Sequence, residues 1–337
     1  MSRRPRQRGV RGPVVVARVL AVGIAVLALL AGGFVQSAAV RAQDASPTPV
    51  ECDAPELPPG TPTPQMEGSP AALEGSPVAV SEETAEATPE AGTPADEATA
   101  AEITAAVENY VACFDSGDPA KYVALETENY WEENYGSGNP YDAVASESEG
   151  PSFTAELVSI SNPMTYSDGR VSAEIEVVLG GHWYVHEIMY FVQDGEYWKL
   201  DQEVELAPEP EGDTAVVGVQ LGSPEDEYTI IPNATSATQS PVLIFHATNA
   251  GQEAHELLVL RLPEGADPMG LLDGSVPFEQ VEFIGAVFDI QPGGSQDLAL
   301  VNLDPGDYTL ICFVPSPDGT PHAALGMVTT FTVDAPA

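Results

Sequence analysis

The sequence predicts a multidomain protein in which an all-β sandwich at the C-terminus follows an α+β domain, with a signal peptide and a disordered tether before both. Three observations predict this order. A basic and then apolar segment opens the chain, a segment rich in Pro, Thr, Ala and Glu follows, and the apolar pattern then changes from a helical period to alternation. A chain of 337 residues is long enough for two domains, each with its own core.

Residues 1–42 have the layout of a secretory signal peptide. Arginines come first, an apolar run extends from Val19 to Val35, and Val40 and Ala42 stand at the −3 and −1 positions of a cleavage site. An uncleaved anchor is the alternative, because a run of this length is near the short limit for a membrane-spanning helix. We therefore expect an extracytoplasmic protein that is secreted, cell-wall-associated or membrane-anchored. Membrane contact is expected only through this segment, if it is uncleaved.

The charge of the chain is unevenly distributed. Seven of the 11 basic residues precede residue 43, and all 52 acidic residues follow it. A surface this acidic repels nucleic acid and anionic lipid, so neither is an expected partner. Solubility alone accounts for such a charge.

Residues 43–96 are predicted to be a disordered linker. They contain no aromatic and no basic residue, and Glu-Gly-Ser-Pro occurs at 67–70 and again at 74–77. Such a segment cannot bury enough apolar surface to offset the entropy lost on ordering, so it is expected to act as a spacer. Cys52 lies within it. If Cys312 binds a metal, Cys52 and Cys113 either pair or stay apart, and Cys113 can simply fill the core face of a helix.

Residues 97–205 are predicted to form the α+β domain. Apolar residues with a helical period indicate a helix from about Asp96 to Ser116, and Asp118-Pro119 supplies an N-cap and a first-turn proline for a second helix. An aromatic, glycine-containing segment follows, and the period then changes to two. The predicted strands are 171–179, 182–192 and 197–204. Helices before an antiparallel sheet indicate an α+β fold.

Two segments of this domain support a more specific comparison. The first helix ends in Cys-Phe-Asp-Ser-Gly-Asp, and the last strand contains Gly-Glu-Tyr-Trp-Lys-Leu. Together with the element order, they resemble the SnoaL-like (nuclear-transport-factor-like) cone fold. That superfamily contains isomerases and many non-catalytic pocket proteins, so the fold alone does not give a function.

The polar candidates for catalysis in this domain are His182, His186 and Tyr130. The two histidines share a strand face about 13 Å apart, so they cannot chelate one metal ion. We therefore expect a binding pocket or a spacer, with no catalytic residues.

Residues 206–212 form a short acidic linker, and residues 213–337 are predicted to form the sandwich. Turn residues separate apolar segments at the intervals that are typical of such folds. The predicted strands are 216–221, 228–231, 242–248, 256–262, 283–290, 298–303, 308–313 and 328–333. Residues 263–280 contain Pro and Gly and are expected to form a loop or short helix.

A segment near the C-terminus carries the most specific chemistry. Cys312 ends a predicted strand, and His322 and Met327 follow across a proline-rich loop. His255 lies where a turn-rich segment meets an apolar strand. One thiolate, two imidazoles and a thioether form the ligand set of type 1 copper, because soft sulfur suits Cu(I) and imidazole suits both oxidation states. A buried structural Cys, a surface His and a core Met are the alternative interpretation.

The spacing of these residues resembles that of the cupredoxin family, which includes plastocyanin and azurin. The residues that carry the resemblance are Asn249, His255, Asp304-Pro-Gly-Asp-Tyr308, Cys312, His322 and Met327. It covers residues 213–337 and implies a Greek-key sandwich with one type 1 copper ion on His255, Cys312, His322 and axial Met327. Nine residues separate Cys312 from His322, more than in small electron carriers and closer to the copper domain of nitrite reductases. A longer loop closes at little entropic cost.

The resemblance implies one-electron transfer rather than an enzymatic reaction. Oxidase chemistry needs further copper ions, and Cys312 is flanked by Ile311 and Phe313 rather than by histidines. The alternatives are a copper carrier or buffer without a redox role, and a metal-free interaction module with a small-molecule pocket in the α+β domain. The pattern identifies neither a redox partner protein nor an oligomeric state.

Three neighbours of the predicted ligands complete these expectations. Asn249 is expected to hydrogen-bond near the thiolate and raise the reduction potential. Glu256 is expected to be a solvated neighbour. His246 faces the opposite side of its strand from Phe245 and is not expected to bind the metal.

Overall fold

The computed structural model describes residues 50–58, 92–148 and 153–336. The predicted signal peptide and most of the predicted tether lie outside these residues. Within the described part of the chain, no helix is long and apolar enough to cross a membrane.

The α+β domain begins with helices that their own capping residues define. Asp96 accepts a hydrogen bond from the Thr99 N–H at the start of the first helix, and Asp118 does the same for Ala120 before the second. These two helices confirm the prediction. Two further helices occupy the aromatic, glycine-containing segment, for which no helix was predicted, and Thr127 caps the first of them. The helices are α1 Glu97–Asp115, α2 Pro119–Val123, α3 Glu128–Tyr135 and α4 Pro140–Ser148.

An antiparallel sheet packs against these helices. Its strands are β1 Thr93–Pro94, β2 Ala155–Thr165, β3 Val171–Leu179, β4 Trp183–Asp194 and β5 Tyr197–Glu205. Strand β2 was not predicted from the sequence. Register shifts between Leu157 and Ser159 and between Ser161 and Met164 interrupt the alternation of its side chains between the two faces of the sheet. The α+β class is confirmed, whereas the SnoaL-like assignment stays a prediction.

Residues 50–58 are tied to the first helix, although the tether prediction includes them. Cys52 and Cys113 form a disulfide bond. The Asp53 N–H donates to Asn109 Oδ1 at 2.8 Å, and Asn109 Nδ2 donates back to the Asp53 carbonyl at 2.7 Å. Of the two alternatives for these cysteines, the structure therefore has the paired one.

Removing this disulfide is expected to destabilise the protein. The bond joins residues 61 positions apart, so replacing both cysteines by serine should lower the free energy of unfolding by about 2–4 kcal/mol, mainly by freeing the unfolded chain. Urea denaturation measures the difference. If the wild-type protein unfolds at the same urea concentration with and without a reducing agent, the pairing is wrong.

Two packed sheets form the C-terminal sandwich, as the sequence predicts. The strands are β6 Thr214–Leu221, β7 Ile230–Pro232, β8 Ser236–Thr238, β9 Val242–Asn249, β10 His255–Arg261, β11 Glu282–Ile290, β12 Ser295–Val301, β13 Gly306–Ile311 and β14 Val328–Asp334. One sheet has the order β12-β9-β6-β7, and the other β11-β10-β13-β14-β8. Only the three-residue strand β8 was not predicted. Residues 263–280 contain the short helix α5 Gly270–Asp273 and a 3₁₀ helix Phe278–Gln280.

The core of the sandwich lies between these sheets. Phe245 of β9 and Phe331 of β14 meet edge to face with ring centroids 5.0 Å apart. Leu257 and Val259 of β10 are fully buried beside them. This core fixes the ends of β10 and β13, where the predicted ligands lie.

The α+β sheet and one sheet of the sandwich are continuous. Strand β4 pairs with β12, with Tyr184 opposite Ala299 and Trp183 opposite Leu300. The Trp183 ring also contacts Phe283, with centroids 5.9 Å apart. The two parts of the chain are therefore joined by strand pairing as well as by residues 206–212.

Candidate metal centre

Three buried side chains converge at one end of the sandwich. His255 is the first residue of β10, Cys312 follows the last residue of β13, and His322 opens a 3₁₀ helix, His322–Leu325. All three are 0% exposed. Their potential ligand atoms lie within 4.8 Å of one another. The structure thus brings together three of the four predicted ligands.

The distances between these atoms suit a single metal ion. His255 Nδ1 lies 3.1 Å from His322 Nδ1, and Cys312 Sγ lies 3.5 Å from His322 Nδ1. Protein nitrogen and sulfur ligands bind a metal such as zinc at about 2.0 and 2.3 Å, so two ligands of one ion lie no more than about 4 Å apart. Both distances meet this limit, and the Cys312 sulfur and the His255 nitrogen lie within 4.8 Å of each other, so the three side chains are close enough to share one ion.

The loop before His322 is a compact hairpin, which explains how nine intervening residues still bring it back to Cys312. The Ser316 N–H donates to the Thr320 carbonyl at 2.9 Å, and the His322 N–H donates to the Val314 carbonyl at 2.9 Å. The Ala323 N–H then donates to the Cys312 carbonyl at 2.8 Å. The long loop therefore does not displace the second imidazole.

Met327, the predicted axial ligand, lies beside the other ligands along the backbone. Its carbonyl accepts from the Cys312 N–H at 3.2 Å, and its N–H donates to the His322 carbonyl at 3.0 Å. The side chain is fully buried in the main apolar core. Its role as a weak axial ligand stays a prediction.

Two carboxylates fix the tautomers of the two histidines in the cluster. His255 Nε2 lies 3.1 Å from Glu227 Oε1, and His322 Nε2 lies 3.0 Å from Glu253 Oε2. Because a carboxylate only accepts, each Nε2 carries the proton and each Nδ1 presents a lone pair. Both lone pairs therefore face the space beside Cys312 Sγ, where a cation would satisfy them.

Burial sets the charges of this site in the metal-free protein. It raises the pKa of the Cys312 thiol, and the nearby Glu256 carboxylate raises it further. Burial also lowers the pKa of His255, with the neighbouring His322 acting in the same direction. A neutral thiol and a neutral imidazole are thus favoured without metal, and a bound cation would stabilise the thiolate.

The chain is similar to several solved structures. Auracyanin B matches at 16% identity and a TM-score of 0.27, over 38% of this chain and 93% of that one. Auracyanin from Roseiflexus castenholzii matches at 20% and 0.24, over 36% and 95%. A multi-copper oxidase from Pediococcus acidilactici matches at 12% and 0.25, over 44% of this chain and 35% of the oxidase. The structural neighbours include cupredoxins.

No family model and no curated protein matches the chain. The His255, Cys312 and His322 cluster has the residue types and the order that the cupredoxin resemblance implies.

Asn249 has a different role from the one predicted. Its Nδ2 donates to the Glu253 carbonyl at 2.7 Å and to the Ile290 carbonyl at 2.6 Å, and its Oδ1 accepts from the Gly251 N–H. These bonds use the side chain to close the turn between β9 and β10 rather than to contact the thiolate. Asn249 therefore holds the loop that carries Glu253.

Glu256 is a buried residue, so its prediction as a solvated neighbour is wrong. It is 3% exposed, and burial raises its pKa to about 7. Its Oε1 accepts from the Phe313 N–H at 2.8 Å. The carboxyl thus anchors the backbone that directly follows Cys312.

Replacing Glu256 by alanine is expected to destabilise the metal-free protein. The buried Phe313 N–H would lose its acceptor, which costs about 1–3 kcal/mol of unfolding free energy. Glu256→Gln retains an acceptor oxygen and is the matched control. Chemical denaturation compares the two variants, and equal losses would show that the hydrogen bond is not the cause.

The remaining histidines lie outside the site, as the sequence predicts. His246 is exposed and pairs with Asp297 at 2.6 Å. His182 contacts the Val301 carbonyl, and His186 contacts Glu174 and the Ala207 carbonyl. Across the described ranges, the cluster at Cys312 is the one group of His, Cys, Asp and Glu side chains with metal-binding geometry.

Proposed function

We propose that this chain binds one copper ion in a type 1 site and transfers single electrons through it. His255, Cys312 and His322 would hold the ion with two Nδ1 atoms and a thiolate, and Met327, the predicted axial ligand, would add a weak thioether. The observation that carries the proposal is the convergence of one buried sulfur and two lone-pair nitrogens within 4.8 Å. Soft sulfur with imidazole is a donor set that suits copper.

Bound copper would supply a one-electron couple. The chain's own contribution is to keep the ligands in one arrangement in both oxidation states. Each imidazole is held at its outer nitrogen by a carboxylate, and the Cys312 backbone is bonded through both its N–H and its carbonyl. Ligands that barely move keep the reorganisation on electron transfer small, and complete burial excludes water from the three donors.

The proposal is limited to electron transfer at a mononuclear site. Enzymes that reduce oxygen or nitrite need additional copper ligands. The described residues provide one suitable cluster. Ile311 and Phe313 occupy the positions beside Cys312 where histidines would be needed to connect the site to a multinuclear copper cluster. That the chain is not an enzyme stays a prediction.

We also propose an extracytoplasmic location. The N-terminal layout supports it, and so does the disulfide between Cys52 and Cys113, because such bonds persist in oxidising compartments. The α+β domain and the preceding segment would then hold the copper site away from a membrane or cell wall.

Metal analysis, a visible spectrum and voltammetry of the purified protein test the function together. We expect one copper per chain, an intense visible absorption from thiolate-to-copper charge transfer that disappears on reduction, and a reversible one-electron couple. Copper without a reversible couple would indicate a carrier instead. A protein that takes up no copper would contradict the proposal and leave a metal-free interaction module.

A further inference from the structure

We infer that Glu227 and Glu253 are positioning residues that orient the two ligand imidazoles and lower the reduction potential of the site. The inference rests on the proposed copper-binding function. Each carboxylate contacts the outer nitrogen of a different histidine, at 3.1 Å for Glu227 and His255 and at 3.0 Å for Glu253 and His322. Both imidazoles of the cluster therefore have a carboxylate partner.

Glu227 is held in place by the loop that it faces. Its carboxylate accepts from the Gln252 N–H at 2.7 and 2.9 Å and from the Glu253 N–H at 2.8 Å. The side chain is 15% exposed. Two backbone donors and one imidazole thus fix a carboxylate that comes from a different part of the chain, 28 residues before His255.

Glycines make room for this arrangement. A Cβ at Gly251 would collide with the Glu227 carboxylate and lie 2.9 Å from His255 Nε2. Gly222, with a φ of +62°, would bring a Cβ equally close to the same nitrogen. Without side chains at Gly222 and Gly251, the backbone can lie close to the His255 ring and leave space for the Glu227 carboxylate.

The backbone of Glu253 is hydrogen-bonded through both its carbonyl and its N–H. Its carbonyl accepts from the Asn249 side chain at 2.7 Å, and its N–H donates to Glu227. Tyr228 packs against the His322 imidazole, with ring centroids 4.9 Å apart. Its hydroxyl lies 3.4 Å from Glu253 Oε1. The second imidazole is consequently buried under an acidic and aromatic cover rather than open to solvent.

The electrostatic consequence follows from the charge difference between the oxidation states. Reduction adds one electron and moves no proton, so it removes one positive charge from the ion. Two partly buried carboxylates bonded to the ligands attract the more positive Cu(II) ion more strongly, because Coulomb interactions are weakly screened in a protein interior. They also raise the basicity of the imidazoles. Both effects stabilise the oxidised state and lower the potential.

Glutamine variants separate charge from orientation. Glu227→Gln and Glu253→Gln keep an acceptor oxygen for the imidazole N–H but remove the negative charge. We expect each variant to raise the potential, and the double variant to raise it further, with the visible absorption retained. Alanine variants lose the contact as well and are expected to bind copper about 10- to 100-fold more weakly. Glu225→Gln is the matched control, because Glu225 is exposed in the same loop.

Spectroelectrochemistry of the copper-loaded full chain measures the potential, and competition with a copper chelator measures affinity. A double glutamine variant with the wild-type potential and an intact visible absorption would overturn the inference. So would a Glu225→Gln variant whose potential rises as much. A wild-type protein without copper or visible absorption is a different result, because it contradicts the proposed function itself. If an alanine variant fails to fold, the glutamine variants still decide the question.

Discussion

Replacing Cys312 by serine is expected to abolish the intense visible absorption and to weaken copper binding by more than the roughly 10- to 100-fold cost of losing an outer partner of a ligand. Cys312 provides the only sulfur in the described cluster that can carry a full negative charge. A serine hydroxyl stays protonated and is a hard, poor donor for Cu(I). The side-chain volume changes little at this fully buried position, so the sandwich should remain folded.

The measurement is a copper titration followed by visible spectroscopy and chelator competition. His246→Gln is the control, because it removes an imidazole of the same sandwich that is exposed and paired with Asp297. It should leave both readouts unchanged. Visible absorption that survives in Cys312→Ser would show that the ligand set is wrong, and so would its loss in His246→Gln.

The sequence predicted the residues that cluster at Cys312 because their chemistry and order are local features of the chain. Cys312 and His322 lie on one loop, and His255 opens a strand whose apolar residues are easily recognised. The strand positions of the sandwich followed from alternation and turn residues for the same reason. Local patterns therefore predict the secondary-structure elements and the residue types that they carry.

The partners of the ligands were missed because they depend on contacts between distant segments. Glu227 reaches His255 across 28 residues, and Glu256 reaches Phe313 across 57. Local patterns treat a glutamate as a solvated residue, so nothing in the sequence marks either one as a partner of a buried group. The pairing of β4 with β12 was missed for the same reason, since it joins strands from different parts of the chain.

The stability of the protein is expected to fall as the pH rises from about 5 to about 8. Three carboxyl groups are almost completely buried in the α+β domain, with Glu126, Glu187 and Glu203 at 0%, 1% and 2% exposure. Tyr110 donates to Glu126 and Tyr130 donates to Glu203, both at 2.9 Å. Burial raises the pKa of all three, and that of Glu203 to about 7.

The direction of the effect follows from proton binding. The model value for a glutamate is 4.5, so between this value and about 7 the folded protein binds more protons than the unfolded chain. The contribution that these protonated carboxyl groups make to the free energy of unfolding is therefore fully present below pH 4.5. It is lost as the pH rises through their pKa in the folded protein. For Glu203 alone, the loss is about 3 kcal/mol. Repulsion within a chain of net charge −41 acts in the same direction, so one residue must be isolated by mutation.

The Glu203→Gln variant isolates the contribution of Glu203 to the pH dependence. Glutamine can still accept from the Tyr130 hydroxyl but cannot ionise, so the variant should be about 3 kcal/mol more stable than the wild type at pH 8 and only about 1 kcal/mol more stable at pH 5. Urea denaturation at the two pH values measures both differences. Glu196→Gln, at an exposed position before β5, changes the net charge equally and should have little effect at either pH. A Glu203→Gln variant that is no more stable than the wild type at pH 8 would mean that the folded protein tolerates the ionised carboxylate, for instance by admitting water to it, and that the loss of stability arises from the net charge alone.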